Sequence, residues 1–186
     1  MEELVMSHRE ILDACEDIGA KLKERLSRAK GVPVCVCVMK GAVNFMVDLM
    51  EAIEADMLTD YIQVSSYEGG TSTTGKITLK KDVTHRIKGR TIILVEDVVD
   101  TGITMDFLVK HFEEMGAAEV IVVTLFDKVA SRKVPVKIDY SGKVLESNKF
   151  LVGYGLDYRG LLRNVPFVYV PSKDELEAWD RFIAQE

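Results

Sequence analysis

Ile92-Ile93-Leu94-Val95-Glu96-Asp97-Val98-Val99-Asp100-Thr101-Gly102-Ile103-Thr104 is the stretch on which the reading of this chain turns. An apolar, largely β-branched run of the kind that lies inside a sheet leads straight into two adjacent carboxylates. A turn over 96–103 and the start of a helix are expected to follow. In open α/β sheets ligands sit outside the carboxyl ends of the strands, so Asp100 to Thr104 are expected at that edge. Gly102 permits a tight turn. Successive backbone N–H groups, the hydroxyls of Thr101 and Thr104 and the helix N-terminus together favour a phosphate. A plainer reading makes this an ordinary strand-to-helix turn with Thr104 as the N-cap. That accounts for Thr104 but not for three acidic residues crowded beside a buried strand. The spacing is neither Gly-x-x-x-x-Gly-Lys-Ser/Thr nor Gly-x-Gly-x-x-Gly. What remains is a sugar phosphate held on the turn, with its sugar hydroxyls on the carboxylates.

Outward from this stretch, strands and helices alternate. Ser7 and Glu10 have capping-box spacing and open a helix whose face is Ile11, Cys15, Ile18, Leu22 and Leu26, with Gly31 as its stop. Val32 to Met39 reads as a strand buried on both faces and ends in Lys40-Gly41-Ala42. Val43, Met46, Val47, Met50 and Ile53 recur at helical spacing. Tyr61 to Ser66 is a strand, Tyr67 to Gly75 a glycine-rich polar loop, and Ile77 with Leu79 the return strand of a long hairpin. After the central turn, Phe107, Leu108, His111, Phe112 and Met115 line a helix closed by Gly116, and Glu119 to Phe126 is a further strand. Ser172 and Glu175 cap a final helix whose Leu176, Trp179, Phe182 and Ile183 are expected to face inward. The order predicts an α/β fold with a mainly parallel sheet flanked by helices. One domain over 1–186 is expected, with the terminal segments and 140–165 forming a small hood.

The totals agree with a folded domain and narrow its partners. The chain has 186 residues, 47% hydrophobic and 29% charged, with a net charge of −6. That charge disfavours nucleic acid or an acidic membrane as the main partner, although a local phosphate pocket is compatible with it. No apolar run approaches the roughly 20 residues of a membrane span, and the charged N-terminus is unlike a signal peptide. Cys15, Cys35 and Cys37 form no disulfide framework and point to a reducing, cytoplasmic setting. Cys35 and Cys37 alternate with valines and read as buried strand residues rather than as metal ligands. His8, His85 and His111 read as structural or surface residues.

The run from Glu96 to Thr104 resembles the phosphoribosyl-pyrophosphate motif of type I phosphoribosyltransferases. More narrowly, the chain is similar to the hypoxanthine (hypoxanthine-guanine) phosphoribosyltransferases. Met39-Lys40-Gly41-Ala42, Ser65-Ser66-Tyr67, Leu125-Phe126-Asp127-Lys128 and Lys149-Phe150-Leu151-Val152-Gly153-Tyr154-Gly155-Leu156-Asp157-Tyr158 match that family in order, and the likeness spans roughly residues 5 to 170. The resemblance implies the type I fold, with a hood subdomain and a flexible β-hairpin loop. It implies purine salvage: transfer of a phosphoribosyl group from phosphoribosyl pyrophosphate to hypoxanthine or guanine with Mg2+, by a homodimer or homotetramer.

By resemblance, Glu96 and Asp97 hold the ribose hydroxyls, directly or through magnesium, and Asp157 is a second magnesium contact. Asp100 is the acid/base partner of purine N7, and Asp100, Thr101, Gly102, Ile103 and Thr104 take the 5-phosphate. Lys40, Gly41 and Arg163 bind pyrophosphate, with the Lys40–Gly41 peptide expected to be cis. Lys128 donates to the purine 6-oxo group, Phe150 stacks on the base, and the Leu151 backbone and Asp157 read its edge. Ser66 and Tyr67 belong to a lid. The segment 141–149 departs from the family's acidic, proline-containing pattern, which bears on base preference. A nucleic-acid-binding regulator that keeps the sugar-phosphate site, and a transferase for xanthine, are the competing readings.

Overall fold

The computed structural model describes residues 1–29, 31–66 and 77–185. In chain order the elements are β1 (Glu3–Met6), α1 (His8–Leu26), β2 (Val34–Met39), α2 (Val43–Ile53), β3 (Leu58–Ser66) and β4 (Ile77–Lys81). They continue with β5 (Thr91–Val99), α3 (Ile103–Glu114), β6 (Glu119–Lys128), a 3-10 turn (Val129–Ser131), β7 (Tyr140–Leu145), β8 (Val168–Val170) and α4 (Lys173–Ile183). Six strands form one sheet in the order β4-β3-β2-β5-β6-β7, parallel throughout except for the β3–β4 hairpin. From β2 the chain crosses to β3 on one side, and from β5 it crosses to β6 on the other. The gap between β2 and β5 is therefore the switch point of the sheet, where the strand ends splay and leave a crevice.

Burial follows the period of two. Cys35 and Cys37 in β2, with Ile93 and Val95 in β5, join the core formed by α1 and α2. Val34, Val36 and Val38, with Ile92 and Leu94, join the core on the opposite face, against Met105, Leu108 and Phe112 of α3. A small third cluster of Val152, Leu162 and Tyr169, with Trp179 packed on it, fills the hood made by β1 pairing with β8, the 150–167 segment and α4. Tyr140–Leu145 is the edge strand of the main sheet, so within 140–165 only the later residues sit with the terminal strands.

Several expected details change. α1 stops at Leu26 with Ser27 as its C-cap, five residues before Gly31 would have ended it. α2 buries Phe45, Met46, Leu49 and Ile53, whereas Val43 and Val47 are exposed. Its apolar content is spread around the helix, and packing against α1 selects a face that spacing alone did not. α3 closes as expected at Gly116, where the Ala117 amide donates to the Phe112 carbonyl at 3.0 Å. α4 keeps its capping box but has no fully buried residue, and Phe182 is exposed. Its neighbour is the thin hood rather than the main core, so only one flank is covered.

Candidate active site

β5 does not end at Val95. It continues through the acidic pair to Val99 and pairs with β6 as far as Asp127. The expected turn therefore begins at Asp100. Its alternation changes on the way: Val98 falls on the α1–α2 side and Val99 on the α3 side, opposite to the parity set by Ile92 to Val95. A strand of period two does this only at an irregularity, and it falls on Glu96 and Asp97. There the Asp97 amide donates to Glu96 Oε1 at 3.1 Å and the Val98 amide donates to Asp97 Oδ1 at 2.7 Å. Both carboxyls are thereby held at the carboxyl end of β5. Burial first, and the Asp97 charge second, hold the Glu96 carboxyl well above its ordinary range. Burial also raises Asp97, against the pull of its Glu96 and Val98 hydrogen bonds and the charge of Arg163.

The turn that follows is arranged with its carbonyls turned into the protein. The Thr101 carbonyl accepts from the amides of Lys133 and Val134 at 2.9 and 3.0 Å, and the Gly102 carbonyl accepts from Asp106 at 2.9 Å. The amides of Thr101, Gly102 and Thr104 donate to nothing among the described residues. Gly102 has φ +84°, and a Cβ there would strike the Val134 carbonyl and lie 2.8 Å from Arg132 Cδ. Only glycine allows this turn. Gly102, without a side-chain hydrogen bond, is the N-cap of α3, and Thr104 lies inside the first turn, so the plain N-cap reading of Thr104 fails. Residues 96–102 with Thr104 and Met105 line one cleft; Ile103 turns its side chain into a separate depression with Ile77 and Phe107. Asp100 is exposed, and its carboxylate has no partner among the described residues.

The Lys40–Gly41 loop comes off β2 beside the end of β5. A Cβ on Gly41 would overlap the Asp97 carboxylate, so that group and the loop backbone are in direct contact. The cis peptide is Met39–Lys40, one residue before the Lys40–Gly41 bond expected. Gly155 of the hood rests on the Gly41 carbonyl. Nearby, Arg163 donates to the Gly155 carbonyl at 2.6 Å and pairs with Asp157 at 2.7 Å, while Asp157 also accepts from the Gly160 amide at 2.6 Å. Lys128, at the end of β6, is buried and donates to the Lys149 carbonyl at 2.8 Å. Leu151 is buried, whereas Phe150 is 48% exposed with its ring edge-on to Tyr158. Lys40, Gly41, Asp97, Asp157 and Arg163 thus meet at one corner, and Lys128, Phe150 and Leu151 stand at another. Ser66 closes β3, and Tyr67 with the rest of the expected lid lies outside the described residues.

Sequence reading left Arg132 without a role and did not single out Asp127 as a partner for it. Arg132 Nε donates to the Asp100 carbonyl at 3.1 Å, and its NH2 group donates to the Val99 carbonyl at 3.3 Å and to the Asp127 carboxylate. A carboxylate at the end of a strand, five residues before an arginine past a short turn, is the available signal. His85 and His111, read as structural, pair with Asp60 and Asp82 at 2.9 and 3.0 Å.

The buried Glu96 and half-buried Asp97 carboxyls keep raised pKa values despite the Arg163 charge, and a divalent cation beside them would relieve that. Among the described residues no three His, Cys, Asp or Glu side chains are grouped to hold a metal. The protein therefore offers Glu96 and Asp97, leaving the other positions to water and ligand oxygens, the coordination that magnesium favours. The residues fit magnesium on these terms. Asp157 is occupied by Arg163 and Gly160.

A family model described as a phosphoribosyl transferase domain matches residues 5–159. The chain is 40% identical over 174 residues to a hypoxanthine-guanine phosphoribosyltransferase of Streptococcus pneumoniae, covering 94% of this chain and 95% of that one. It is 39% identical to the enzyme of that name from Lactococcus lactis, covering 91% of each. A crystal structure of a hypoxanthine phosphoribosyltransferase from Staphylococcus aureus superposes with a TM-score of 0.87 at 34% identity, over 94% of both chains. The matched residues include the turn, the acidic pair and the loop beside them, and on this match the chain belongs to the phosphoribosyltransferase family.

Proposed function

We propose that this chain transfers the 5-phosphoribosyl group of phosphoribosyl pyrophosphate to a 6-oxopurine, hypoxanthine or guanine, releasing pyrophosphate and forming the nucleotide. The observation that carries the reading is the set of amides at Thr101, Gly102 and Thr104, without partners among the described residues, beside the Glu96 and Asp97 carboxyls at the switch point of the sheet. Free amides at a helix N-terminus suit a dianionic phosphate. The carboxyls of Glu96 and Asp97 suit ribose hydroxyls and the positive charge that grows on the sugar as its C1–pyrophosphate bond lengthens. Bound magnesium would supply positive charge to the leaving pyrophosphate and to the acidic pair. Lys40, the Gly41 backbone and Arg163 would take the negative charge that develops on pyrophosphate, the arginine fork suiting two of its oxygens.

On the other side of the ribose, the base needs a donor for its 6-oxo group and a group to receive the proton released as its ring nitrogen bonds to C1. Lys128 supplies the first, and Asp100, exposed and without a partner among the described residues, supplies the second. Phe150 and Leu151 would flank the base, and the hood from residue 150 onward would cover it. The choice of hypoxanthine and guanine follows the names of the relatives. Three buried thiols, each pushed up to about 12 chiefly by burial, suit a reducing cytoplasm. Exposed Val43 and Val47 suit self-association into a dimer or tetramer.

The deciding assay supplies phosphoribosyl pyrophosphate and magnesium with hypoxanthine, guanine, xanthine or adenine and compares kcat/KM. Hypoxanthine or guanine is expected to lead by at least tenfold. No nucleotide from either would end the reading.

A further inference from the structure

The 5-phosphate turn is held from behind by a residue that never faces the cleft. Arg132 follows the 3-10 turn after β6, and its side chain is 17% exposed. Its guanidinium reaches the carbonyls of Val99 and Asp100 at 3.3 and 3.1 Å while paired with Asp127, itself 13% exposed. The next two residues continue the same contact, because the amides of Lys133 and Val134 take both lone pairs of the Thr101 carbonyl. Three successive carbonyls, 99 to 101, are thus drawn to one side. In a tight turn a carbonyl and the following amide point in opposite directions, since the peptide unit is planar. Fixing the carbonyls of 99, 100 and 101 therefore fixes the directions of the amides of 100, 101 and 102. Those of Thr101 and Gly102 are among the free donors of the cleft.

We infer that Arg132, anchored by Asp127, is a positioning residue that aims the amides of the phosphate turn. The inference rests on the proposed transferase reading. Arg132 does not touch the substrate on this account: its Nε and NH2 are spent on protein oxygens. The fork geometry matters because one planar group spans two carbonyls and a carboxylate at once, which a lysine ammonium on its flexible stem does not reproduce. Gly102 belongs to the same device. Its missing Cβ is what lets Arg132 Cδ and the Val134 carbonyl close on the turn.

The test compares wild type with R132Q and R132K, measuring Michaelis constants for phosphoribosyl pyrophosphate and for the preferred base, with thermal melts alongside. R132Q is expected to raise the constant for phosphoribosyl pyrophosphate at least tenfold and that for the base less than threefold. R132K is expected to melt near wild type yet recover only part of that loss. An unchanged constant in R132Q, an equal rise in both constants, or full recovery by R132K would overturn the inference. If R132Q melts too low to assay, R132K decides alone: a rise of threefold or more supports positioning, and a wild-type value overturns it. Calorimetric binding of phosphoribosyl pyrophosphate separates the two levels of the account. A wild-type protein that binds it but transfers to neither base loses the proposed function, and the variants still test the positioning. A wild type that does not bind it loses both.

Discussion

Asp100 is exposed at the end of β5, with its carbonyl tied to Arg132 and its carboxylate without a partner among the described residues. On the proposed function, that division separates what the residue does for the turn from what its side chain would do for the base. Asp100→Asn keeps the backbone and removes only the proton acceptor, so kcat is expected to fall about 10²- to 10³-fold. The KM for phosphoribosyl pyrophosphate should move less than threefold, because the amides remain. A kcat within twofold of wild type would remove Asp100 from the chemistry. The strand, turn and helix start around it are legible because strand, acid and glycine stand in one continuous run. Arg132 is not. Its partners, Val99, Asp100 and Asp127, are brought to it by the β5–β6 pairing and a short turn, and two of the three contacts are to carbonyls, which leave no mark in a sequence.

Between elements, two contacts carry opposite lessons about local preference. Gly19 sits inside α1, where alanine would ordinarily stabilise a helix by about 1 kcal/mol. Yet a Cβ there would lie 2.6 Å from the Ala52 carbonyl of α2. Gly19→Ala is therefore expected to destabilise by about 1–3 kcal/mol, as overpacking does. A denaturant melt showing a gain would refute the close α1–α2 approach.

The second contact is Asp60 of β3, which accepts from the amides of Tyr61, Thr84 and His85 and from the His85 ring. Burial alone would raise its pKa, but these bonds outweigh it and hold the carboxyl well below the usual range. The unfolded chain, with an ordinary value of about 3.9, takes up the proton first as pH falls. The stabilisation is therefore whole above about pH 4 and is lost below it. Asp60→Asn should cost about 2 kcal/mol at pH 7, and the gap to wild type should close as the medium is acidified below about pH 4. A gap constant from pH 7 to 3 would contradict this. Strand and helix existence was legible at this scale, since β2, β5 and β6 are apolar on both faces. The buried faces of α2 and α4 were not, because their apolar residues surround more of the helix than the partner covers.

The whole molecule places its chemistry by topology. Starting the sheet at β2 and moving outward in both directions leaves the β2 and β5 ends adjacent, so Lys40-Gly41 and Glu96-Asp97 meet although 54 residues of chain lie between Gly41 and Glu96. The hood then brings Gly155, Asp157 and Arg163 onto the same corner. The sequence order of the motifs announced this frame, but the hood's edges depended on β1 pairing with β8, a match between the chain's two ends that no local pattern signals. Exposed Val43, Val47 and Phe182 lead to the expectation that light scattering will find an assembly heavier than the 20.8 kDa chain, and a monomer would leave those faces as bare surface. The central claim is that one sugar-phosphate ligand spans the amides of Thr101 to Thr104 and the carboxyls of Glu96 and Asp97. A crystal structure with phosphoribosyl pyrophosphate and magnesium measures it directly: the 5-phosphate should accept from the amides of Thr101, Gly102 and Thr104 with the ribose hydroxyls toward the acidic pair, whereas a ligand seated elsewhere, with this cleft holding only water, would contradict it.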